Sequence, residues 1–353
     1  MPSLNKKTFS ELINKSGLHI EQKLPFVLYR KPKEQQVIGI FQSDGELNSV
    51  VDFKESGFVF APFDSKEDAF LIRPDEVIVS SFQRNGEIGA SNFNETSEGK
   101  EAHIKLVENG IKEIIKGNLQ KVVLSRVIEV PYSKNPKEIF TSLLNNYPNA
   151  FCYLFYHPKV GMWCGATPET LLQVKEQQLK TMSLAATLPI SNAEKPIWGS
   201  KEIEEQQMVS DYIQKRLANK MDSLEVGKAE TIKAGKLWHL KSEITGHLSN
   251  KTDLREILEA LHPTPAVCGI PVEAAKNFIT KNENYKRTFY TGFLGELNLG
   301  TQTETSLYVN LRCMELKEKK AAIFVGGGIT LASNPDREWV ETQNKSRTML
   351  NIL

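Results

Sequence analysis

Three strand-like runs, residues 150–157, 160–167 and 170–174, follow one another with only two residues between neighbours. A crossover to a parallel neighbour needs about a dozen residues, usually a helix, so this stretch is confined to antiparallel geometry. Segments 236–248, 288–297, 304–316 and 321–326 also read as strands. Helical spacing of apolar residues marks helices near 136–145, 200–219, 253–261, 271–281 and 335–350. Ile104, Val107, Ile111, Ile114 and Ile115 place another helix before Gly117 and Asn118, which close it ahead of a strand over 121–130. The mixture predicts an α+β fold with largely antiparallel sheets.

Upstream, Phe26–Arg30, Val37–Phe41, Phe58–Ala61 and Ala69–Ile72 read as short strands, and Phe82–Lys100, rich in Asn, Ser, Gly and Glu, reads as a linker or exposed loop. We divide the chain into a strand-rich part of the same fold, 1–99, and a catalytic region, 100–353. Forty-four basic side chains against 43 acidic ones leave a net charge of +1. No global field draws in nucleic acid or an anionic membrane. No apolar run approaches the roughly 20 residues of a membrane span, and the first residues lack a signal-peptide pattern, so the expected place is the cytoplasm. Cys152, Cys164, Cys268 and Cys313 are scattered without metal spacing and read as buried, reduced thiols.

Chemistry is suggested by carboxylates on helical faces. In the helix after Gly199, stepping back from the buried stripe of Val209, Tyr212, Ile213 and Leu217 reaches Glu205 and then Glu202. A carboxylate on an inward face needs a cation, a metal or a raised pKa. A second helix has Asn334 as its N-cap and Pro335 at its first position, which puts Glu338, Glu341 and Lys345 on one face. Together these acids could supply the few carboxylates that Mg²⁺ takes. Spacing also allows blander readings: first-turn acids complementing a helix dipole, and a solvated Glu341–Lys345 pair. Gly326, Gly327 and Gly328 form either a ligand-approaching backbone or a plain strand-to-helix turn, and they match neither nucleotide-loop pattern. Lys121 opens a strand apolar on both faces, which suits a general base or a lysine reaching out to water. Glu169 follows Pro168, and Arg312 sits inside the apparent strand LYVNLRCMEL, where a buried guanidinium wants a carboxylate.

The ordered segments KVVLSR, CGATPETLL, GSKEIEEQ, LWHLKSEITG, LHPTPAVCGIP, YTGFLGEL, LYVNLRC, GGGI and EWVETQNK resemble the chorismate-utilising enzymes over roughly residues 100 to 350. That family includes isochorismate, salicylate, anthranilate and aminodeoxychorismate synthases, and the resemblance implies two stacked, largely antiparallel sheets flanked by helices. Within it the chain looks most like an isochorismate synthase, with chorismate as its small-molecule substrate and no obligate protein partner. The resemblance implies Lys121 as the water-activating base, Glu169 as the acid, and Glu205 and Glu341 as Mg²⁺ ligands, with Glu202 and Glu338 beside them. It implies contacts to substrate carboxylates from Arg312, Lys345 and the backbone of Gly326 to Gly328, and a pocket lined by His239, Thr264, Gly269 and Tyr290. Ala185 stands where aminodeoxychorismate synthases carry a nucleophilic lysine, which leaves water as the nucleophile. Ala186, Leu188 and Gln206 depart from the family's usual Gly, Arg and His. A salicylate synthase, an anthranilate-type enzyme with a glutaminase partner and a non-catalytic carboxylate-binding protein remain alternatives. Menaquinone and a catecholate siderophore remain alternative destinations for the product.

Overall fold

The computed structural model describes residues 4–86, 97–190, 194–234, 237–300 and 304–353. The chain begins with β1 (Leu4–Lys6), α1 (Phe9–Glu21), β2 (Phe26–Arg30), β3 (Gln36–Phe41), β4 (Asn48–Ser49), β5 (Gly57–Ala61), β6 (Phe70–Ile72) and β7 (Glu76–Ser81). It continues through α2 (Lys100–Ile115), β8 (Lys121–Pro131), α3 (Pro136–Asn146), β9 (Phe151–His157), β10 (Gly161–Thr167), β11 (Thr170–Lys175), β12 (Gln178–Pro189) and α4 (Ser200–Leu217). Next come β13 (Met221–Val226), β14 (Glu230–Ala234), β15 (Leu237–Leu248), α5 (Leu254–Leu261), β16 (Gly269–Ile270) and α6 (Val272–Asn282). The last elements are β17 (Phe293–Leu299), β18 (Glu304–Val309), β19 (Cys313–Leu316), β20 (Lys320–Ile329) and α7 (Pro335–Leu350).

These strands form two sheets. The first has the order β1-β7-β3-β2-β9-β10-β19-β20-β8-β16, the second β13-β15-β12-β11-β18-β17-β5-β6-β4 with β14 also on β15. Among the described pairings β1 with β7 is parallel and the rest are antiparallel. Aromatic side chains from both sheets, among them Phe58, Phe60, Phe151, Tyr153, Trp163 and Phe324, fill the space between them. Each such ring taken out of water contributes on the order of 2 kcal/mol, which is what holds the layers together. Outside, Leu12 of α1 and Ile139, Phe140 and Leu143 of α3 cover the first sheet. Val209 and Ile213 of α4 with Ile257 and Leu261 of α5 cover the second. The fold is the flanked pair of stacked, largely antiparallel sheets expected above, and residues 4–86 add strands to both.

Several elements differ from the sequence reading. Helix α1 escaped it, although Thr8 and Glu11 form a capping box that is legible as T-x-x-E. Strand β12 escaped as well, because Lys180, Thr181, Ser183 and Thr187 interrupt the apolar pattern. The expected strand over 288–297 begins only at Phe293. Of the expected linker 82–100, residues 87–96 lie outside the described residues, and helix α2 starts at Lys100. The four cysteines are buried and unpaired.

Two corrections matter more. The 157–160 connection is the expected hairpin, but the one at 167–170 carries the chain out of the first sheet and into the second. The run 304–316 is likewise not one strand: β18 belongs to the second sheet, β19 to the first, and Asn310–Arg312 make the crossing. Bends of this kind are how a strand leaves one layer of a sandwich for the other.

Candidate active site

The two crossings lie side by side. Ala166 N donates to Arg312 O at 3.0 Å, and Val309 N donates to Glu169 O at 3.0 Å. Asn310 braces the corner: its Oδ1 accepts from Tyr153 Oη at 2.6 Å and its Nδ2 donates to Phe289 O at 2.9 Å. Arg312 itself adopts φ 48°, a left-handed conformation that is strained for a long side chain. Both side chains thereby leave the sheets and line one cleft of about 720 Å³, open mouth included. Its wall also holds Ala185, His239, Val267, Tyr290 and Gly326 to Gly328.

Glu169 is 3% exposed. Burial pushes its carboxyl up to about 8, against the partial pull of Lys121, Arg312 and Lys345, so it carries a proton at neutral pH. Arg312 is half-buried, and its Nη1 is buried with no hydrogen-bond partner. The sequence reading expected a carboxylate for it, and none lies within ion-pair reach among the described residues. An orphaned buried donor group of this kind is an anion site waiting for its anion. His239 donates from Nδ1 to Ala186 O at 2.9 Å. Burial, with Arg312 and Lys345 adding to it, drives the imidazole down to about 3, so the neutral ring presents Nε2 as an acceptor.

At the other end of the cleft the glutamates converge on β20. The glycine run is not the turn that its composition suggests, because Gly326, Gly327 and Gly328 pair in register with Ser125, Leu124 and Val123 of β8. What the glycines supply is room. A Cβ on Gly328 would stand 2.5 Å from Glu205 Oε1, and one on Gly327 would stand 3.2 Å from Glu338 Oε2 and 3.5 Å from Glu341 Oε1. Helix α4 brings Glu205 and α7 brings Glu341 and Glu338, the latter helix capped by Asn334 with Pro335 at its start, as expected.

Each of these carboxylates meets a lysine. Lys121 Nζ lies 2.9 Å from Glu205 Oε1, without the angles of a hydrogen bond. Lys201 Nζ donates to Glu338 Oε1 at 2.9 Å. Lys345 bridges Glu341 Oε1 at 2.6 Å and Gly326 O at 2.8 Å. Burial alone would raise the Glu205 carboxyl, but Lys121, Lys201 and Lys345 outweigh it and hold the group below its ordinary value. Glu338 goes the other way, raised first by burial and then by Glu341. Its Oε2 is buried with no partner.

Not every expected residue joins the site. Glu202 turns back to accept from Gly199 N at 3.0 Å, as half of the α4 cap. Lys121 is wholly buried and lies behind Glu205 rather than on the cleft wall. Gly269 pairs with Val122, and Thr264 accepts backbone bonds from Val267 and Cys268, so both support the wall from behind. Sequence reasoning passed over Lys201, whose partner is 137 residues away. It also passed over the buried pair Arg287–Glu283. Arg287 donates to Val123 O at 2.7 Å and Val267 O at 2.9 Å, while Glu283 accepts from Ser125 N at 2.8 Å. That pair clamps β8 to the opposite wall of the cleft.

Does this donor set suit Mg²⁺? Among the described residues no three His, Cys, Asp or Glu side chains are gathered closely enough to hold a metal unaided. Oxygen-only donors, an orphaned carboxylate oxygen on Glu338 and the repulsion between Glu338 and Glu341 nevertheless suit a small, hard cation. Mg²⁺ keeps several waters and takes one or two carboxylates, so Glu205 and Glu341 fit it.

Residues 74–353 match the family described as chorismate binding enzyme. The chain belongs to the chorismate-binding enzyme family. Isochorismate synthase DhbC of Bacillus subtilis is 31% identical, over 83% of this chain and 79% of its own. Isochorismate synthase MenF of Escherichia coli is 29% identical, over 70% of this chain and 59% of its own. A solved structure of DhbC from Bacillus anthracis superposes with a TM-score of 0.82 at 26% identity, covering 97% of this chain and 98% of that one. Anthranilate synthase component I from Streptococcus pneumoniae shares the fold at a TM-score of 0.70 and 18% identity.

As a chorismate-binding enzyme the chain has its own variations. Ala186 takes φ 61°, the conformation for which glycine is the easy choice, and keeps the backbone that offers its carbonyl to His239. Gln206 is buried and donates to Ser183 Oγ at 2.8 Å and Ser242 Oγ at 3.3 Å, tying α4 to β12 and β15. Leu188 pairs with Trp238 along β12 and β15.

Proposed function

We propose that this chain is an isochorismate synthase, using Mg²⁺ and water to isomerise chorismate. The observation that carries the reading is the unpartnered Arg312 guanidinium in a cleft that also holds an uncharged carboxylic acid. A substrate carboxylate would supply the anion that Arg312 lacks, and Mg²⁺ would join the ring carboxylate to the glutamates at the other end of the cleft. Support for the particular activity comes from relatives named isochorismate synthase in Bacillus subtilis and Escherichia coli.

Arg312 binds the enolpyruvyl carboxylate and sets the orientation of the ring. Glu205 and Glu341 would hold Mg²⁺, with Glu338 nearby; the ion's chemistry is to neutralise and fix the ring carboxylate. Lys121, released from Glu205 and acting as the free amine, takes a proton from the water whose oxygen bonds to C2. Glu169 gives its proton to the C4 oxygen as that bond breaks and the ring double bonds shift. Water enters and water leaves, so the product is an isomer of the substrate. A placed acid and a placed base each contribute about 10² to 10⁴ in rate. Ala185 offers no amine, in keeping with water as the nucleophile. The enzyme works on a free small molecule in the cytoplasm, without an obligate protein partner.

Purified protein incubated with chorismate and Mg²⁺, followed by mass and NMR analysis, tests the reading. An isomer of unchanged mass is expected. Salicylate with pyruvate would make the chain a salicylate synthase, an ammonia-dependent aromatic product would make it anthranilate-type, and untouched chorismate would leave a binding protein.

A further inference from the structure

Lys201 has no part in the scheme above, yet its ammonium stands inside the carboxylate cluster. Its side chain is 27% exposed, and that of its partner Glu338 is 2% exposed. The contact ties the first turn of α4 to the first turn of α7, the two helices that bring Glu205 and Glu341 to β20. Burial works against the lysine's charge, but Glu338, Glu341 and Glu205 together outweigh it, so all three carboxylates lie within its field. The cluster thus has a cation of its own, carried on a flexible stem that reaches in from the surface. Lys121 and Lys345 are committed to Glu205 and Glu341, and among the described residues Lys201 is the cation paired with the buried Glu338.

A divalent ion entering among the same oxygens meets that ammonium as a like charge, in a part-buried place where water screens little. We propose that Lys201 is a built-in stand-in for the divalent ion: it neutralises Glu338 and pins α4 to α7 while the metal is away, and opposes the metal's entry. The proposal rests on the Mg²⁺ reading given above. It makes Lys201 a positioning residue that sets how tightly the metal is held rather than a group that touches substrate.

The test is Mg²⁺ titration by calorimetry, without substrate, of the wild type, Lys201→Met and Lys201→Arg, with thermal unfolding of each in chelator and in saturating Mg²⁺. Lys201→Met should bind Mg²⁺ about tenfold tighter, about 1.4 kcal/mol, and Lys201→Arg should match the wild type. In chelator Lys201→Met should melt below the wild type, and it should gain more from Mg²⁺. Equal or weaker Mg²⁺ binding by Lys201→Met, with the wild type binding measurably, overturns the proposal alone. Binding by neither protein overturns it together with the Mg²⁺ reading. If Lys201→Met does not fold, crystals of the wild type with Mg²⁺ decide. Lys201 Nζ released from Glu338 upholds the proposal, and an unbroken 2.9 Å contact rejects it.

Discussion

Replacing Glu169 with Gln should make the protein more stable and inactive at once, with a stability gain that grows with pH. The folded carboxyl sits at about 8 because burial disfavours its charge, whereas an unfolded chain releases the same proton near the ordinary 4.5. Between those two values the folded state holds a proton that the unfolded state has lost, so stability falls as pH rises through that window and levels off above it. At 1.36 kcal/mol per pH unit, the ionisable group costs about 1.4 kcal/mol at about pH 5.5 and about 4.7 kcal/mol at about pH 9. Glutamine keeps the shape and carries no charge to bury. Urea unfolding of both proteins at the two pH values, with chelator and without substrate, should therefore show the advantage of Glu169→Gln growing by about 3 kcal/mol at constant m. In the wild type kcat/KM, which reports the free enzyme, should fall above pH about 8 as the acid is lost. Parallel stability profiles for the two proteins would refute the argument, because the buried carboxyl would then titrate as it does in water.

Lys121→Met should lower kcat by about 10³ while calorimetry still detects Mg²⁺, and near-normal turnover would remove Lys121 as the base. Gly328→Ala puts a methyl group 2.5 Å from Glu205 Oε1, the free end of a flexible side chain. The fold should survive with little change in Tm while turnover drops about 10²-fold, and full activity would show that the carboxylate's place is immaterial. Arg287→Ala strands the buried Glu283 carboxylate and should cost about 3 to 5 kcal/mol in urea unfolding. A loss under 1 kcal/mol would mean that β8 does not depend on this clamp.

How much of this was legible in the sequence follows from how local each signal is. The α7 cap at Asn334 and Pro335, the hairpin at 157–160 and the inward faces of α4 and α7 are set by residues within a turn or two, and the structure has them where their spacing puts them. The crossings at 167–170 and 310–312 are not local. A two-residue gap serves a hairpin or a change of layer equally well, and only the packing of the second sheet on the first decides between them. Arg312 therefore read as a residue inside a strand when it is the corner itself. The glycine run misled for a related reason: three glycines suggest a turn, but here the absent side chains make space for glutamates from two distant helices. Pairings such as Lys201 with Glu338 and Arg287 with Val123 link separate segments, so no spacing rule announces them.

The paired crossings carry one last implication. Glu169 and Arg312 ride on neighbouring stitches of backbone joined through Ala166 and Val309, so the span from proton donor to anion anchor is written into the main chain of the sandwich. The cation-handling side chains are mounted on α4 and α7, which are separate pieces docked from outside. Redesign of those two helices could retune the ion preference, or even the attacking group, while the ruler between acid and anchor stayed the same length.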